Sequence, residues 1–416
     1  MLSEKIISSL FLLTNKLKDN ELRKGWFQRY INRFRVESVA EHIYKCQMLA
    51  YAMFSEFKYD IDINKVILLL SVHEIGETII GDITIEDMDS KTKGEIERDA
   101  VFKLTEMIPN GEFLRDLYLE FEDKTSMEAE FAYMIDKAEC DLQAKLYVQE
   151  GCFSHKYTDK EFIDNWIRFD RERINFDENF DKLLERIMNN DMVISKHCNN
   201  PYSNVISFYT STSSLCDKRR RGEEIWNVSK ERFGSVAEHI YSVQMLAIGF
   251  YLVYGSDVDI KKVINLISTH ELGEIIIGDI DALTKTDNDR VREYEGAMSV
   301  INILTNKDLI INQLDEFNKL ESEESKFSEY CDKLTPDIIS KIYDLNNYID
   351  LNLQDGNPLL NNKIVKKYLD SNKDFSSMWI LYGQEVYNYP EPFISVSNYV
   401  LNNNIIDTYN KVFIKI

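Results

Sequence analysis

Residues that break helices or cross-link folds are scarce in this chain. Its 416 residues include only 6 Pro, 15 Gly and 6 Cys, and no Pro- or Gly-rich linker separates its segments. Few breakers and long periodic runs predict a fold that is mostly helix. The cysteines show no CxxC spacing and follow no secretory apolar segment, which argues against a disulfide framework or a zinc ribbon. We expect them to be small buried side chains in a reducing cytoplasm.

Long apolar runs and positive charge are scarce as well. Residues 1–20 contain too short an apolar run and too many charges for a signal peptide, and no apolar stretch of about 18 residues follows them. With 49 Lys+Arg against 71 Asp+Glu, the net charge of −22 repels a phosphate backbone. The sequence therefore predicts no membrane anchor and no nucleic-acid partner. For one basic run, Lys218 to Arg221, a solvated helix end and a phosphate contact both stay open.

What the chain does contain is an internal repeat. The string SVAEHIY occurs at residues 38–44 and again at 235–241, and the later segments HEIGE and HELGE begin at His73 and His270. Four of the 6 His residues in the chain occupy matched positions of the two copies: His42, His73, His239 and His270. The repeat predicts two domains, residues 1–198 and 199–416.

The first motif carries a helix-start signal. Ser38 followed three residues later by Glu41 is a capping box, and Ser235 with Glu238 repeats it. A helix should therefore begin at Val39 and at the matched position of the second copy. Both glutamates are then predicted to close the start of a helix and not to bind a metal.

The second motif lies in an apolar run of helical length that ends at a glycine in both copies. The spacing predicts that His73 and Glu77 share one helical face, as do His270 and Glu274. A carboxylate next to each of these histidines can approach the same point beside the helix. The motif thus places an imidazole and two carboxylates together in each copy.

A late Asp-Lys pair completes the pattern, with Asp136 and Lys137 in the first copy and Asp332 and Lys333 in the second. An Asp within an apolar helical stretch is costly to bury without a cation or partner. A metal ligand and a helix-surface charge both stay open for it. Two His, an acidic residue beside the second His and a distant Asp are nitrogen and oxygen donors suited to a divalent ion, with positions left for water.

This order of motifs resembles the HD-domain metal-dependent phosphohydrolases twice over, and most closely their 5′-deoxynucleotidase-like branch. The resemblance covers roughly residues 23–150 and 220–345 and implies an all-α fold of two tandem HD-domain helical bundles. It implies one divalent metal ion (Mn, Co, Zn, Fe or Mg) per domain. The implied ligands are His42, His73, Glu74 and Asp136 in the first domain and His239, His270, Glu271 and Asp332 in the second. The residues implied to act on the water and the leaving group are Glu77, Asp82, Glu274 and Asp279.

Other residues are predicted to contact the substrate. Arg35 and Arg232 precede the first His of each copy, and a bidentate grip on phosphate or a salt bridge to a neighbouring Glu is open for each. Lys137 and Lys333 are candidates for supporting cations. The resemblance implies that Trp26 shapes the sugar pocket.

The sequence departs from the family in two respects. The acidic ligand is a Glu in both copies where the family has Asp, which leaves the identity of the metal and its coordination open. In the second copy, Glu223 replaces Trp26, and a carboxylate there would oppose an anionic substrate. Thr335 also stands where the first copy has Glu139. We therefore expect the first site to be the better nucleotidase.

The sequence thus predicts a cytoplasmic, metal-dependent phosphomonoester hydrolase. Its predicted reaction is that of a 5′-nucleotidase, which converts (deoxy)nucleoside monophosphates to nucleoside and phosphate, and the chain is a monomeric pseudo-dimer or a homo-oligomer. The alternative is a nucleotide-binding regulatory protein with one or both HD sites non-catalytic. A metalloprotease is disfavoured, since Glu77 and Glu274 stand where the HExxH motif needs its second His. The segment after about residue 350 has no counterpart in the first half, and helical packing or an interface is open for it.

Overall fold

The computed structural model describes residues 2–18, 31–33, 35–83, 88–152, 167, 171–172, 174–192, 194, 196–255, 257–372 and 374–413. The regular secondary structure of these residues is helical, which confirms the predicted all-α class. A single isolated bridge joins Arg219 to Ser235 within the described ranges.

The two halves repeat the same order of helices. The first half contains α1 (Leu2–Thr14), α2 (Val39–Glu56), α3 (Ile63–Val72), α4 (Glu77–Ile80), α5 (Ser90–Glu106), α6 (Gly111–Asp123), α7 (Met127–Gln149) and α8 (Glu178–Met188). The second half contains α9 (Pro201–Ser213), α10 (Arg221–Ile225), α11 (Val236–Tyr254), α12 (Ile260–Thr269), α13 (Glu274–Ile277), α14 (Asp287–Ile301), α15 (Asp308–Lys319) and α16 (Glu323–Leu345). Four more helices follow: α17 (Lys363–Asn372), α18 (Phe375–Tyr387), α19 (Phe393–Asn402) and α20 (Ile405–Val412).

Both central helices begin where the sequence predicts. The Ser38 side chain accepts a hydrogen bond from the Glu41 N–H, and the Glu41 carboxylate accepts one from the Ser38 N–H. Ser235 and Glu238 form the same reciprocal pair at the start of α11. The capping boxes are confirmed because each depends on residues only three positions apart.

The helix predicted across the second motif is interrupted, which corrects its assignment as one continuous helix. Helix α3 ends at Val72, with His73 as its C-cap, and Glu77 starts the separate short helix α4. Between them the backbone bonds tighten from i−4 to i−3 spacing, as in the 3.0 Å bond from the Glu77 N–H to the Glu74 oxygen. His73 and Glu77 therefore do not share the face of a single helix. Gly81 ends α4 with φ 78°, a conformation that glycine adopts without strain.

The first helix of each half packs on the other half. Helix α1 lies against α11, and α9 lies against α2. The Tyr241 hydroxyl donates to the Thr14 oxygen, and the Tyr44 hydroxyl donates to the Thr212 oxygen, each at 3.4 Å. One continuous apolar core consequently contains residues of both halves. The ranges 1–198 and 199–416 stay a prediction from the sequence repeat, and helices of both ranges contribute to this shared core.

The two central helices, α2 and α11, pack against each other near the middle of the molecule. Gln47 and Gln244 exchange hydrogen bonds through their side-chain amides at 3.1 and 3.0 Å. The Tyr51 hydroxyl donates to the Asn265 side-chain oxygen at 2.5 Å. Matched residues meeting in this reciprocal way are typical of a two-fold interface, here formed within one chain.

Helix α11 is long and apolar enough to cross a membrane by length and composition alone. Its most apolar window has a mean hydropathy of 1.3, so the expectation that no such stretch occurs is wrong. Within the protein, 89% of that window is buried, because α11 packs against α1, α2 and α16. Burial on all sides explains why this helix is apolar around its whole circumference.

The C-terminal helices pack on the second half. Helices α18 and α19 lie against α16, and α19 and α20 lie against α1. A second, small apolar cluster joins α18 to α10 and consists of Trp226, Leu359, Val365, Phe375 and Met378. Of the two roles left open for this segment, helical packing is the one observed.

Candidate metal centres and the second cavity

In the second half, four predicted ligands converge. His239 comes from α11, His270 caps α12, Glu271 follows in the turn, and Asp332 comes from α16. One donor atom from each lies within 4.8 Å of all the others. His239 Nε2 is 2.8 Å from Asp332 Oδ1, and His270 Nε2 is 3.5 Å from Glu271 Oε1. The four side chains form one group of nitrogen and oxygen donors, as the sequence predicts, in which His239 and Asp332 are buried and His270 and Glu271 are partly buried.

The second His of each half presents a free ring nitrogen to this group. His270 Nδ1 lies 2.7 Å from the Ile267 carbonyl oxygen, and His73 Nδ1 lies 2.7 Å from the Leu70 oxygen. A carbonyl only accepts, so Nδ1 carries the proton and Nε2 keeps its lone pair. Both Nε2 atoms are buried without a hydrogen-bond partner among the residues that the structure describes. A metal-binding His has this arrangement, so the donor set fits a divalent ion.

In the first half, the donor group differs by one member. His42, His73 and Asp136 converge as predicted, but Cys46 joins them, and the four donor atoms lie within 4.8 Å of one another. Glu74 Oε1 also lies 3.6 Å from His73 Nε2, but Glu74 belongs to a separate acidic group with Glu77 and Glu97. Sequence reasoning missed Cys46, although its position four residues after His42 on one helix was the available signal.

His42 is oriented by a carboxylate that the second half lacks. Its Nδ1 lies 2.5 Å from Glu139 Oε2, which leaves Nε2 facing Asp136 Oδ1 at 3.2 Å. Burial alone would raise the pKa of Glu139, but Lys45 and His42 hold that pKa down at about 2. The Tyr209 hydroxyl, from α9 of the second half, donates to Glu139 at 2.5 Å. One site is therefore completed by a residue of the other half.

His239 has no such carboxylate. Thr335, at the position of Glu139, donates its hydroxyl to the Cys331 oxygen at 2.8 Å. Burial and then the positive charge of Arg220 lower the pKa of His239 to about 4, against the opposing effect of Asp332. The ring is therefore neutral near pH 7, the form in which histidine binds a metal.

The carboxylates predicted to act on water and leaving group border both centres. Burial, followed by the charges of Glu271 and Asp279, raises the pKa of Glu274 well above its usual range. Its Oε2 is buried without a hydrogen-bond partner in the described ranges. Burial, then Glu74 and Asp82, likewise raises the pKa of Glu77. Each half thus holds a buried carboxyl group whose pKa is raised, and in the first half Lys93 Nζ lies 3.0 Å from Glu77 Oε1.

Asp279 is held in place by Arg220 and Arg221, which belong to the basic run at the start of α10. Its Oδ2 accepts the Arg221 N–H at 2.7 Å, and its Oδ1 lies 3.4 Å from Arg220 Nη1. Arg220 also lies 3.9 Å from Glu271, a donor of the metal group. Arg220, at the N-cap of α10, therefore lies beside the site, whereas Arg219 and Arg221 of the same run are 56% and 52% exposed at the side chain. In the first half, Asp82 follows α4 at the matched position and is partly buried.

Arg35 and Arg232 do not face the metal groups, which corrects their prediction as phosphate ligands. Arg35 pairs with Glu41, and Arg232 pairs with Glu238 and reaches Glu41 at 2.9 Å. The salt-bridge alternative is therefore the one observed. We call Arg35, Glu41, Arg232 and Glu238 the central ion cluster, because it joins the capping boxes of the two halves.

The remaining substrate-contact predictions have mixed outcomes. Lys137 Nζ lies 2.7 Å from Asp136 Oδ2, and Lys333 Nζ lies 2.7 Å from Asp332 Oδ2. Both cations therefore lie beside a donor of a candidate metal group, and their contact with a substrate stays a prediction. Trp26 lies outside the described residues.

A cavity of about 200 Å³ opens from the donor group of the second half, and we call it the second cavity. Its lining includes His239, Glu271 and Asp332 at one end and Trp226 and Trp379 at the other. It also includes Glu223, the carboxylate expected to oppose an anionic substrate. The Glu223 oxygens accept the Gly234 N–H at 2.8 Å and the Tyr343 hydroxyl at 2.5 Å. Its charge is therefore partly compensated by two donors.

A family model described as HD domain matches residues 14–174 and 218–368, most of the chain. The chain belongs to the HD-domain family. It carries the domain twice, and the resemblance seen in the sequence is confirmed. The match is consistent with the two donor groups, since each falls within one matched region.

Among proteins of known function, similar chains bear the name 5′-deoxynucleotidase. One from Dictyostelium discoideum is 31% identical over 148 residues, which cover 34% of this chain and 76% of that protein. One from Homo sapiens is 30% identical over 128 residues, 30% of this chain and 60% of its own length. One from Schizosaccharomyces pombe is 32% identical over 141 residues, 32% of this chain and 67% of its own. These relatives support a phosphohydrolase of the HD family.

Proposed function

We propose that the protein is a divalent-metal-dependent 5′-nucleotidase that hydrolyses (deoxy)nucleoside monophosphates to nucleoside and phosphate. The observation that carries the proposal is the pair of donor groups, each with an imidazole Nε2 that has no hydrogen-bond partner among the described residues. The names of the relatives support the nucleotide as the substrate class. One ion is proposed for each half.

The second half shows how its residues would act. An ion held by His239, His270, Glu271 and Asp332 would lower the pKa of a bound water to about 7 and take up charge from phosphoryl oxygens. Lys333 lies within 2.7 Å of Asp332 and would bring a second positive charge to the phosphate. Arg220, 3.9 Å from Glu271, would add a guanidinium beside the group.

Two carboxyl groups of each half would divide the proton transfers. Glu274 has a raised pKa, which suits its carboxyl group to donate a proton to the departing 5′ oxygen of the nucleoside. Asp279, held by the Arg221 N–H, can accept a proton from the attacking water. Glu77 and Asp82 are proposed to play the same parts in the first half.

The two halves are expected to differ in rate. Glu139 orients His42 in the first half, and carboxylates that orient a metal-binding His are worth about 10–100-fold in metal affinity or activity. His239 has Thr335 at that position and no such support. We therefore retain the expectation that the first site is the better nucleotidase, and that the second half is the better candidate for ligand binding without turnover.

The test strips the protein of metal and restores Mn, Co, Zn, Fe or Mg one at a time. Released phosphate is measured from 5′- and 3′-monophosphates of ribo- and deoxyribonucleosides. We expect release that requires metal, prefers the 5′ series and falls at least about tenfold in the His73→Ala variant. His270→Ala should remove less activity than His73→Ala.

Equal losses in the two variants, or a larger loss in His270→Ala, would contradict the ranking of the sites. Nucleotide binding by calorimetry without phosphate release, with every metal, would reject the enzyme and favour the regulatory alternative. Lys103→Ala, a change in an exposed ion pair with Asp99, serves as the control and should leave release unchanged.

A further inference from the structure

Helix α18 supplies most of one side of the second cavity. Among the aromatic residues that line the cavity, a connected group forms what we call the aromatic wall: Trp226, Phe375, Trp379, Tyr382 and Tyr387. Their rings are in continuous contact, with centroid separations of 5.0, 6.3, 5.7 and 6.1 Å in that order. The family match ends at residue 368, so the four residues of α18 lie beyond it. Helix α18 thus contributes to the wall from outside the matched region, whereas Trp226 lies within it.

The wall runs towards the metal donors. At its far end, Lys333 Nζ lies 5.9 Å from the centre of the Tyr387 ring, and the same Nζ is 2.7 Å from Asp332 Oδ2. The cavity therefore has flat apolar surfaces along one side and cations and metal donors at one end. A ligand with a planar ring system joined to an anionic group matches this division of surfaces.

Some residues of the wall differ from ordinary core residues in their exposure or in their hydrogen bonding. Trp379 and Tyr387 are only partly buried, although their neighbours Phe375 and Tyr382 are 4% and 6% exposed. Trp226 is 1% exposed, and its Nε1 has no hydrogen-bond partner in the described part of the chain. A buried donor of this kind carries a desolvation cost that an acceptor on a bound ligand would offset.

We infer that the aromatic wall binds the base of a nucleoside whose phosphate end reaches the second metal group. The ligand class is a nucleoside or its 5′-monophosphate, and the wall discriminates by stacking on the base. The inference rests on the proposed function for the identity of the anionic group. Stacking of one base on an aromatic side chain is worth about 1–3 kcal/mol, which is about 5–150-fold in affinity.

The experiment measures binding at the wall without chemistry. In a background with Trp26→Phe and Trp166→Phe, the tryptophans left are Trp226 and Trp379, since the chain has 4 Trp. Metal-loaded protein is titrated with unphosphorylated deoxynucleosides, followed by tryptophan fluorescence, and with inorganic phosphate, followed by calorimetry. We expect Tyr387→Ala and Trp379→Ala to weaken deoxynucleoside binding about 5–150-fold. Phosphate affinity should stay within about twofold of the parent protein.

Tyr294→Ala removes an exposed tyrosine outside the cavity and should change neither affinity. Trp379→Phe keeps an aromatic face and should recover most of the affinity lost in Trp379→Ala. Circular dichroism and Tm verify that each variant is folded.

Unchanged deoxynucleoside affinity in both alanine variants would overturn the inference, as would an equal loss of phosphate affinity. Deoxynucleoside binding that depends on the wall, without any phosphate release, would keep the inference and reject the proposed reaction. If the protein releases phosphate but its deoxynucleoside affinity is unchanged in the wall variants, the proposed reaction stands and the inference is rejected.

Discussion

Cys46 and Val243 occupy the same position in the two repeats, four residues after the first His of each half. The Cys46 Sγ lies 3.5 Å from His42 Nε2, and the side chain is fully buried. Burial raises the pKa of the Cys46 thiol to about 12, in spite of the lowering effect of His42. A thiolate is a softer ligand than a carboxylate and favours zinc or cobalt over magnesium. A single side chain is therefore expected to give the halves different metal preferences.

Cobalt provides the test at this position. When the protein is loaded with Co²⁺, we expect a sulfur-to-cobalt absorption band in the near ultraviolet, because Cys46 would replace its proton with the metal. Cys46→Val reproduces the residue of the second half and should abolish the band. Cys152→Ser, outside both donor groups, should leave it intact. A band that survives in Cys46→Val would show that Cys46 does not bind the metal.

Asp337 is a second residue whose environment has a measurable consequence. It is 2% exposed, and burial raises its pKa well above the usual range despite the hydrogen bond donated by Tyr389 at 3.1 Å. The folded protein therefore binds a proton that the unfolded chain releases at the ordinary pKa of Asp. Stability from this group is present below that ordinary pKa and is lost as pH rises towards the folded pKa.

Asp337→Asn removes the titration. We expect the difference in Tm between Asp337→Asn and the parent protein to increase from pH 5 to pH 8. The reason is that only the parent must bury a charge at high pH. A gain of about 1 kcal/mol would correspond to about 1 °C in a chain of 416 residues that unfolds as one unit. Asp116→Asn, at an exposed position, is the control and should shift Tm equally at both pH values. A Tm difference for Asp337→Asn that is the same at both values would refute the argument.

At the scale of elements, the contact between α18 and α16 positions the aromatic wall. A Cβ atom at Gly383 of α18 would lie 2.5 Å from Asp337 Oδ2 and 2.9 Å from Oδ1 on α16. The helices can approach this closely only because residue 383 has no side chain. The wall therefore depends on one glycine that faces a buried carboxyl group.

Gly383→Ala should lower the free energy of unfolding by about 1–3 kcal/mol, the usual cost of overpacking a close contact. Gly94→Ala is the matched control, since a Cβ there meets nothing within 4 Å. In the middle of α5 it should stabilise the protein by up to about 1 kcal/mol through helix propensity. Urea unfolding measures both. Equal effects of the two changes would mean that α18 is not held against α16 at this point.

At the scale of the whole molecule, the central ion cluster and the exchanged helices join the halves. Glu41 caps its own helix, accepts the Ser235 hydroxyl of the other half at 2.6 Å, and pairs with both arginines of the cluster. Because α1 and α9 each pack on the opposite half, neither half can lose its core without exposing that of the other. The chain is therefore expected to unfold as one unit.

Glu41→Gln should cost up to about 3–5 kcal/mol of unfolding free energy, because it leaves Arg35 and Arg232, 16% and 13% exposed at the side chain, without their full counter-charge. Fluorescence and circular dichroism should report one coincident urea transition before and after the change. The exposed pair of Lys103 and Asp99 supplies the control Lys103→Ala, expected to cost at most about 1 kcal/mol. Two separated transitions in the parent protein would contradict the shared core.

Local patterns in the sequence were sufficient for the helix starts and for most of the donor residues. The capping boxes at Ser38 and Ser235 involve bonds across three residues, so no distant contact can be needed to predict them. Because the chain is duplicated, each motif His of the first copy has a matched His in the second. The repeated order of the motifs indicated the family. The break between α3 and α4 was not predicted, because its i−3 bonds follow no pattern of side-chain polarity.

The sequence by itself determined the helical class, the repeated HD domain and which imidazoles and aspartates form each donor group. The tertiary structure alone decided the partners of Arg35 and Arg232, the support of His42 by Tyr209 through Glu139, and the aromatic wall on the second cavity. The physical reason is distance along the chain. These contacts join residues of different elements, and many join different halves. Periodicity and spacing do not distinguish among such distant partners, which are determined by tertiary packing.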